Sequence, residues 1–174
     1  MRRIYESEAL RRDDDDPFVP GQDDGSRSRS RSLNWDNASH AFMPNALRSR
    51  AIDVTVQTNE EVYRRGETVH FHVAFRNRLP LPVALKTTTL TPWTWEIDGL
   101  EHASKTPDET PDEAGRFQFN RAERKTFSRR WTQRFQETEN EWSSAPPGEY
   151  RLAVRINAAY GTDRLQDSTT FRIE

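Results

Sequence analysis

The chain has 174 residues, of which 33% are hydrophobic and 31% are charged, and its formal net charge is −2 at pH 7. This length suits one domain with an appendage, and the low apolar content requires the core to lie in part of the chain. The nearly balanced charge gives no whole-protein field for a nucleic acid or a membrane. The lack of cysteine excludes disulfides, cysteine zinc sites and thiol nucleophiles. No apolar run suits a signal peptide or a membrane span, so we expect a cytoplasmic protein.

Residues 1–50 are predicted to form a flexible charged tail. The acidic tract Asp13–Asp16 is followed by alternating arginine and serine within Ser26–Ser32. Such a segment buries too little apolar area to offset its ordering entropy, about 1–2 kcal/mol per residue. The arginine–serine run is open to two interpretations, a solvated linker and a phosphate-binding segment.

The end of this tail, residues 33–50, contains a possible docking segment. Trp35 and Phe42 are large apolar residues in polar surroundings, and Asn45 is suited to cap a short helix at Ala46–Arg50. One interpretation is that the aromatic residues cover an edge of the folded domain. The other is that they form a linear motif that binds another protein.

The clearest structural pattern lies in the stretch Glu61–Asn77. Its apolar residues recur at every second position, which is typical of a strand with one buried face. Gly66 provides the turn before this strand, because glycine adopts positive φ at little cost. A half-buried strand with a turn at each end indicates an antiparallel sheet packed on another layer. The apolar residues are Val69, Phe71, Val73 and Phe75, and they alternate with Thr68, His70, His72 and Ala74.

Short strands separated by turns follow along the rest of the chain. The dipeptide Asp98-Gly99 predicts a tight hairpin. About eight such strands without a convincing helix predict an all-β fold. We expect an immunoglobulin-like antiparallel β-sandwich of residues 51–174 behind a largely unstructured N-terminal tail. Further strands are predicted at Ile52–Val56, Val83–Leu90, Trp93–Ile97, Leu100–Ser104, Phe117–Phe119, Lys125–Phe135, Tyr150–Ile156 and Thr169–Ile173.

The stretch KTFSRRWTQRF is compatible with two structures. Phe127, Trp131 and Phe135 are four residues apart, which fits a helix face as well as a strand face. We predict a strand, because its threonines and serine are poor helix residues and no cap precedes it. In a strand the three aromatic residues point inward, and Arg130 and Arg134 point outward.

Several motifs resemble known families. The run YRRGETV at Tyr63–Val69 and the run PGEY at Pro147–Tyr150 resemble immunoglobulin-like domains of the intracellular proteinase inhibitor (BsuPI) type. Residues 51–174 are also similar to an uncharacterised group of haloarchaeal proteins, through the words RNRLPLPV, PWTWEIDG, RKTFSRRWTQRF and PPGEYRL. These resemblances imply an immunoglobulin-like fold, and the inhibitor type implies binding to a proteinase. The haloarchaeal group implies no activity.

The sequence does not indicate a metal site or a catalytic site. His70 and His72 share a strand face, as in metalloenzymes of the cupin type, but the carboxylate ligand is absent after them and Arg76 would repel a cation. The acidic residues between Lys105 and Gly115 lie in a proline-bearing loop, without the fixed geometry that acid–base catalysis needs. We therefore expect no enzyme activity, no metal, no cofactor and no small-molecule substrate.

The first group of candidate binding residues is basic. An outward stripe of arginines on a strand contacts phosphates or stacks on bases in sheet-surface RNA binders. The alternative is that these arginines pair with carboxylates on neighbouring strands and that Arg129 lies beside a tryptophan. The candidates are Arg124, Lys125, Arg129, Arg130 and Arg134.

The second group of candidates is made of tryptophans. Trp93 and Trp95 are two residues apart and so share one face of a short strand. They form either part of the core or an exposed docking patch. Trp35 is the candidate in the docking segment of the tail.

Taken together, these patterns favour a non-enzymatic protein-interaction module with a protein partner and no membrane. A nucleic acid is a possible partner, so the alternative is an RNA- or ribosome-associated factor that uses the arginine-rich strand. The second alternative is a proteinase inhibitor, with Lys105–Gly115 as the candidate reactive loop.

Overall fold

The structure is a computed structural model that describes residues 43–106 and 113–174, and these residues belong to one compact unit, Leu33–Glu174. They form one α-helix, twelve strands and a 3-10 turn at Thr162–Arg164. The elements are α1 Asn45–Ala51, β1 Ile52–Thr58, β2 Val62–Tyr63, β3 Val69–Asn77, β4 Val83–Thr87, β5 Trp93–Ile97, β6 Leu100–Glu101, β7 Gly115–Phe119, β8 Arg124–Trp131, β9 Arg134–Gln136, β10 Trp142–Ser144, β11 Gly148–Ile156 and β12 Gln166–Ile173.

The first layer is a three-stranded antiparallel sheet in the order β1-β3-β8. The predicted alternation in β3 is present, because Phe71 and Phe75 are buried while His70 and His72 are exposed. Val73 lies directly opposite Phe127 on β8, so the apolar positions of both strands share the inner face. The polar positions therefore share the outer face.

The second layer is a five-stranded sheet in the order β2-β12-β11-β5-β6. Its pairs are antiparallel except for β2, which runs parallel to β12. The predicted hairpin joins β5 to β6, and both turn residues have positive φ, 48° at Asp98 and 83° at Gly99. A two-residue turn of this kind matches the right-handed twist of the flanking strands. Strands β4 and β7 form a separate antiparallel pair, as do β9 and β10.

The core lies between the two layers and is rich in aromatic rings. Phe71 of the first layer packs on Trp95 of the second, with ring centroids 5.3 Å apart, and Phe75 packs on Trp93 at 5.5 Å. Leu152 at the centre of β11 is fully buried. Large aromatic side chains thus supply the buried area that this chain's low aliphatic content does not.

Two features identify the sandwich as immunoglobulin-like. The first strand of the sandwich is divided between the two layers, because β1 pairs in the first sheet and β2, which follows it in the chain, pairs in the second. The hydroxyl of Tyr150, near the start of β11, donates a 2.6 Å hydrogen bond to the carbonyl oxygen of Pro146. This is the tyrosine corner of such folds. The predicted fold class, an immunoglobulin-like antiparallel β-sandwich, is confirmed.

Two predicted strands end earlier in the structure. The strand that begins at Val83 ends at Thr87 rather than Leu90, and the hydroxyl of Thr87 turns to the carbonyl oxygen of Thr89 at 2.7 Å. The strand that begins at Leu100 contains only two residues, because the chain then takes positive φ values of 51° and 56° at the next two residues.

The stretch KTFSRRWTQRF is a strand, as predicted, but it is not continuous. Strand β8 ends at Trp131, and β9 begins at Arg134 in another sheet. Gln133 causes the break with a φ of 55°, and its side chain is buried. Its amide accepts a hydrogen bond from the backbone N–H of Gly66 at 2.7 Å and donates one to the carbonyl oxygen of Arg64 at 2.9 Å. The break is therefore tied to the turn that precedes β3.

The helix predicted before the first strand is present as α1, but Asn45 does not cap it. Pro44 occupies the cap position, and no side chain makes a capping hydrogen bond. Arg48 and Ser49 are buried on the sandwich. In residues 43–106 and 113–174, no helix is long and apolar enough to cross a membrane.

Candidate functional site

The outer side of the three-stranded sheet carries a cluster of basic and imidazole side chains. The register places alternate residues of β3 and β8 on this side, and the basic and imidazole side chains among them are all exposed. Between them lie only small or neutral residues of β8, Thr126 and Ser128. We call this surface the basic face, and it consists of His70, His72, Arg76, Arg124 and Arg130.

The charges of the basic face are not balanced locally. Arg76 and Arg124 are directly opposite each other on neighbouring strands, an arrangement that destabilises a sheet when the charges are alike. Asp53 is directly opposite Arg76 on the other side, but its carboxylate forms an ion pair with Arg78. In the described part of the chain, the side chains of Arg76, Arg124 and Arg130 make no hydrogen bond or ion pair.

The outer side of the five-stranded sheet is organised differently. The guanidinium of Arg155 forms ion pairs with Glu96, at 3.2 Å, and with Glu101. Arg151 donates a hydrogen bond to the hydroxyl of Ser168 at 3.1 Å. Arginines on this layer therefore have partners within the protein, whereas those of the basic face are left for solvent or for a ligand.

Two of the predicted basic residues lie on the inner side of β8. Arg129 places its guanidinium over the ring of Trp93, 5.1 Å from the centroid, and over that of Phe127 at 5.9 Å. Lys125 forms an ion pair with Glu123 at 2.9 Å. These side chains cover the open flank of the sandwich, where β8 ends the sheet. Arg129 therefore lies over the ring of Trp93 of β5 and not over that of Trp131 of its own strand.

Arg134 is separated from the other arginines by the break at Gln133. It lies on β9, opposite Ser144 of β10, and the exposed Trp142 lies on the same side of this hairpin, opposite Gln136. Trp142 was not among the candidates selected from the sequence. The available signal was the tryptophan itself, since a large aromatic residue in a polar segment is a common interface residue.

The predicted tryptophan candidates do not form a surface patch in the structure. Trp93 is buried, and Trp95 is half-buried against Phe71. Both point into the core between the layers. Trp35 lies outside the described residues, and its docking role stays a prediction.

The described residues contain no group of three side chains that could hold a metal ion. The imidazole Nδ1 of His72 instead lies 3.0 Å from the hydroxyl of Ser128, across the strands. Glu113, at the end of the predicted acidic loop, is exposed, and the rest of that loop between 107 and 112 lies outside the described residues.

Among the described residues, four groups have clearly shifted pKa values. Hydrogen bonds from the ammonium group of Lys105 and then from the hydroxyl of Ser143 lower the pKa of Glu137. Burial raises the pKa of the tyrosine hydroxyls of Tyr63 and Tyr150. The backbone N–H of Asn120 and then the ammonium group of Lys125 hold the pKa of Glu123 below its usual range. Each of these groups holds a turn or a strand in place. Tyr63 lines a surface cavity together with Glu60 and Glu67. Its hydroxyl accepts a hydrogen bond from the backbone N–H of Glu60, which assigns it to holding the turn.

A protein family described as "Family of unknown function (DUF7974)" matches residues 40–174. The chain belongs to this family. The match includes α1 and all twelve strands, and therefore the whole basic face of this DUF7974 member. A search of the curated proteins finds no match.

Several solved structures are similar to the DUF7974 chain. A solution NMR structure of the CARDB domain of PF1109 from Pyrococcus furiosus is 11% identical, covers 71% of this chain and 94% of that chain, and has a TM-score of 0.47. A crystal structure of that domain in complex with di-metal ions is 12% identical, covers 70% and 91%, and has a TM-score of 0.45.

A DNA-bound alkylpurine DNA glycosylase, AlkC from Pseudomonas fluorescens, is 13% identical, covers 71% of this chain and 30% of that chain, and has a TM-score of 0.43. At such identities and TM-scores, these likenesses carry no functional argument, and the fold assignment depends on the strand order and the tyrosine corner. The resemblances to the BsuPI type and to haloarchaeal proteins are not tested by these comparisons and stay predictions.

Proposed function

We propose that the protein is a non-enzymatic interaction module that binds an acidic protein partner through the basic face. One observation carries this proposal. Three exposed guanidinium groups, of Arg76, Arg124 and Arg130, share one side of a sheet without a carboxylate partner in the described part of the chain. A partner with a negative surface would remove the repulsion between them and gain complementary charge pairs.

An RNA-associated factor is the second candidate, since guanidinium groups also bind phosphates. Proteins that hold single-stranded RNA on a sheet stack its bases on exposed aromatic rings. On the basic face the imidazoles of His70 and His72 are exposed, but Phe127 and Trp131 point to the other side of β8. Because the β8 arginines of the basic face lie on the outer side of the strand and its aromatic rings on the inner side, the basic face favours a protein partner over RNA.

No observation on the described residues favours the other alternative, a proteinase inhibitor. Its candidate reactive loop, Lys105–Gly115, lies outside them between 107 and 112. Inhibition stays a prediction, and it is tested by adding the protein to a general protease at a stoichiometric ratio.

The proposal is tested by reversing charge on the basic face. The double variant Arg124→Glu, Arg130→Glu is used as bait in a native lysate, beside the unmodified protein, and the retained macromolecules are identified by mass spectrometry and by RNA extraction. We expect the partner of the unmodified protein to be an acidic protein whose affinity falls about tenfold or more in the variant.

A matched control is available on the β4–β7 pair. Lys86 and Arg116 are also exposed and directly opposite each other, so Lys86→Glu, Arg116→Glu makes the same change in net charge elsewhere. Retention that falls equally in both double variants would show attraction by overall charge and overturn the proposal. Retention of RNA in place of protein, lost only in the first variant, would establish the second candidate.

A further inference from the structure

The exposed edges of the two main sheets are protected to different degrees. The five-stranded sheet ends on β2 and β6, which have only two residues each. At the β1 edge of the three-stranded sheet, the backbone N–H of Val56 donates a 2.9 Å hydrogen bond to the carboxylate of Asp167. Short strands and covered backbone groups are common ways to block an edge.

Strand β8 forms the opposite edge of the three-stranded sheet and is long. It has 8 residues, about 27 Å of extended chain, and pairs with β3 on one side only. Within residues 43–106 and 113–174, no backbone group outside the sheet hydrogen-bonds to β8. A side chain does, because the guanidinium of Arg129 donates a 3.0 Å hydrogen bond to the carbonyl oxygen of Ser128. An edge of this kind presents alternate N–H and C=O groups that an extended peptide can satisfy.

Both sides of this edge are positively charged. Arg124 and Arg130 lie on its outer side, and Lys125 and Arg129 lie on its inner side. Strand β8 itself contains no acidic residue. A strand added beside β8 would therefore find the unpaired guanidinium groups of Arg124 and Arg130 on its outer side, whereas Lys125 on the inner side already forms an ion pair with Glu123.

We propose that β8 receives an extended acidic peptide of a partner protein as a fourth strand of the sheet. This inference rests on the proposed function and specifies the form in which the partner binds. The backbone of the peptide pairs with the edge of β8, where it replaces the guanidinium of Arg129 as the partner of the carbonyl oxygen of Ser128. Its side chains alternate between the two sides of the sheet, so carboxylates at alternate positions face Arg124 and Arg130.

A second copy of this chain is a poorer occupant of the edge. Pairing of β8 with β8 of another molecule would place guanidinium groups opposite guanidinium groups, and like charges at directly opposite positions destabilise a sheet. Charge complementarity thus selects an acidic strand and disfavours self-association.

Basic residues on an edge also serve to prevent aggregation. Arg129 fits that role, because its guanidinium donates a hydrogen bond to the carbonyl oxygen of Ser128 on the edge at 3.0 Å. One observation is not explained by edge protection. The positive charge continues inward from the edge to Arg76 on β3, where protection of an edge is not needed.

The test uses two synthetic peptides of the length of β8, 8 residues, in which glutamate alternates with threonine. The second peptide has the same sequence, but every other backbone nitrogen is methylated, so its charge is kept and its pairing with an edge is lost. Binding to the unmodified chain and to the Arg124→Glu, Arg130→Glu variant is measured by fluorescence anisotropy. Amide hydrogen exchange and sedimentation are measured in parallel.

We expect the first peptide to bind the unmodified chain and to protect alternate amides of Arg124–Trp131 from exchange. We expect about tenfold weaker binding for the methylated peptide and for the double variant. Equal binding of the two peptides, lost in the variant, would overturn strand addition and leave the proposed function intact.

Three other results would contradict the inference. If neither peptide binds while a folded acidic protein does, the basic face recognises a surface and not a strand. If single-stranded RNA of equal charge binds as well as the first peptide, recognition is by charge alone. If the chain dimerises and the peptide does not compete, the edge is occupied by a second copy.

Discussion

Replacing Gln133 by methionine should destabilise the domain by about 2 kcal/mol. Methionine has nearly the same volume, so it leaves no cavity, and the cost comes from polar groups. The variant loses the 2.7 Å bond from the N–H of Gly66 and the 2.9 Å bond to the carbonyl oxygen of Arg64. A buried hydrogen bond contributes about 1 kcal/mol net, and both backbone partners belong to exposed residues that water can reach.

The free energy of unfolding is measured by urea denaturation of the full chain. A loss of about 2 kcal/mol lowers the midpoint by about 1 M, with an unchanged slope. The control is Gln118→Met, because Gln118 is exposed on β7 and its side chain makes no hydrogen bond in the described part of the chain. Equal stability of the Gln133 variant and the control, within about 0.5 kcal/mol, would refute the view that this amide ties the break to the turn.

Two further predictions concern single hydrogen bonds and their pH dependence. Tyr150→Phe removes the bond to Pro146 and should cost about 1 kcal/mol at neutral pH by thermal or urea unfolding. The pKa of Tyr150 is raised by burial, so its neutral hydroxyl stabilises the fold below the ordinary tyrosine pKa, and this stability is lost as the pH rises through the raised value. The variant should lose less stability than the unmodified protein above about pH 10, and a parallel decline would contradict this. For Glu123 the sign is opposite, because its pKa is lowered, first by the N–H of Asn120 and then by Lys125, so its contribution is present at about pH 7 and disappears as the pH falls through the lowered value. Glu123→Gln should therefore be less stable than the unmodified protein at about pH 7, and the difference should shrink as the solution is acidified; a constant difference would show that ionisation is not the cause.

Features that depend on neighbouring residues were predicted well from the sequence. The alternation of Val69 and Phe71 with His70 placed β3 and its two faces. The Asp98-Gly99 dipeptide placed the hairpin between β5 and β6, since these residues take positive φ readily. Period-two patterns and turn residues act over a few positions, so one sequence is enough to read them.

Features that depend on residues distant in the sequence could not be predicted from these local patterns. The break at Gln133 has no proline or glycine to mark it, and it is stabilised by bonds to Arg64 and Gly66, which are far away in the sequence. The composition of the basic face also depends on residues that are distant in the sequence. That Arg76 belongs beside Arg124 follows from the register between β3 and β8, which residue patterns alone do not specify.

The short parallel pairing of β2 with β12 has a mechanical consequence. The N–H of Arg172 bonds to the carbonyl oxygen of Glu61 at 2.8 Å, the N–H of Glu174 to that of Tyr63 at 2.9 Å, and the N–H of Arg65 to that of Glu174 at 2.9 Å. Because the two strands run in the same direction, a force that pulls β2 backward and β12 forward loads these bonds in shear, all at the same time. A domain clamped in this way would resist tension between neighbouring parts of a longer assembly better than one whose outer strand can be peeled away bond by bond.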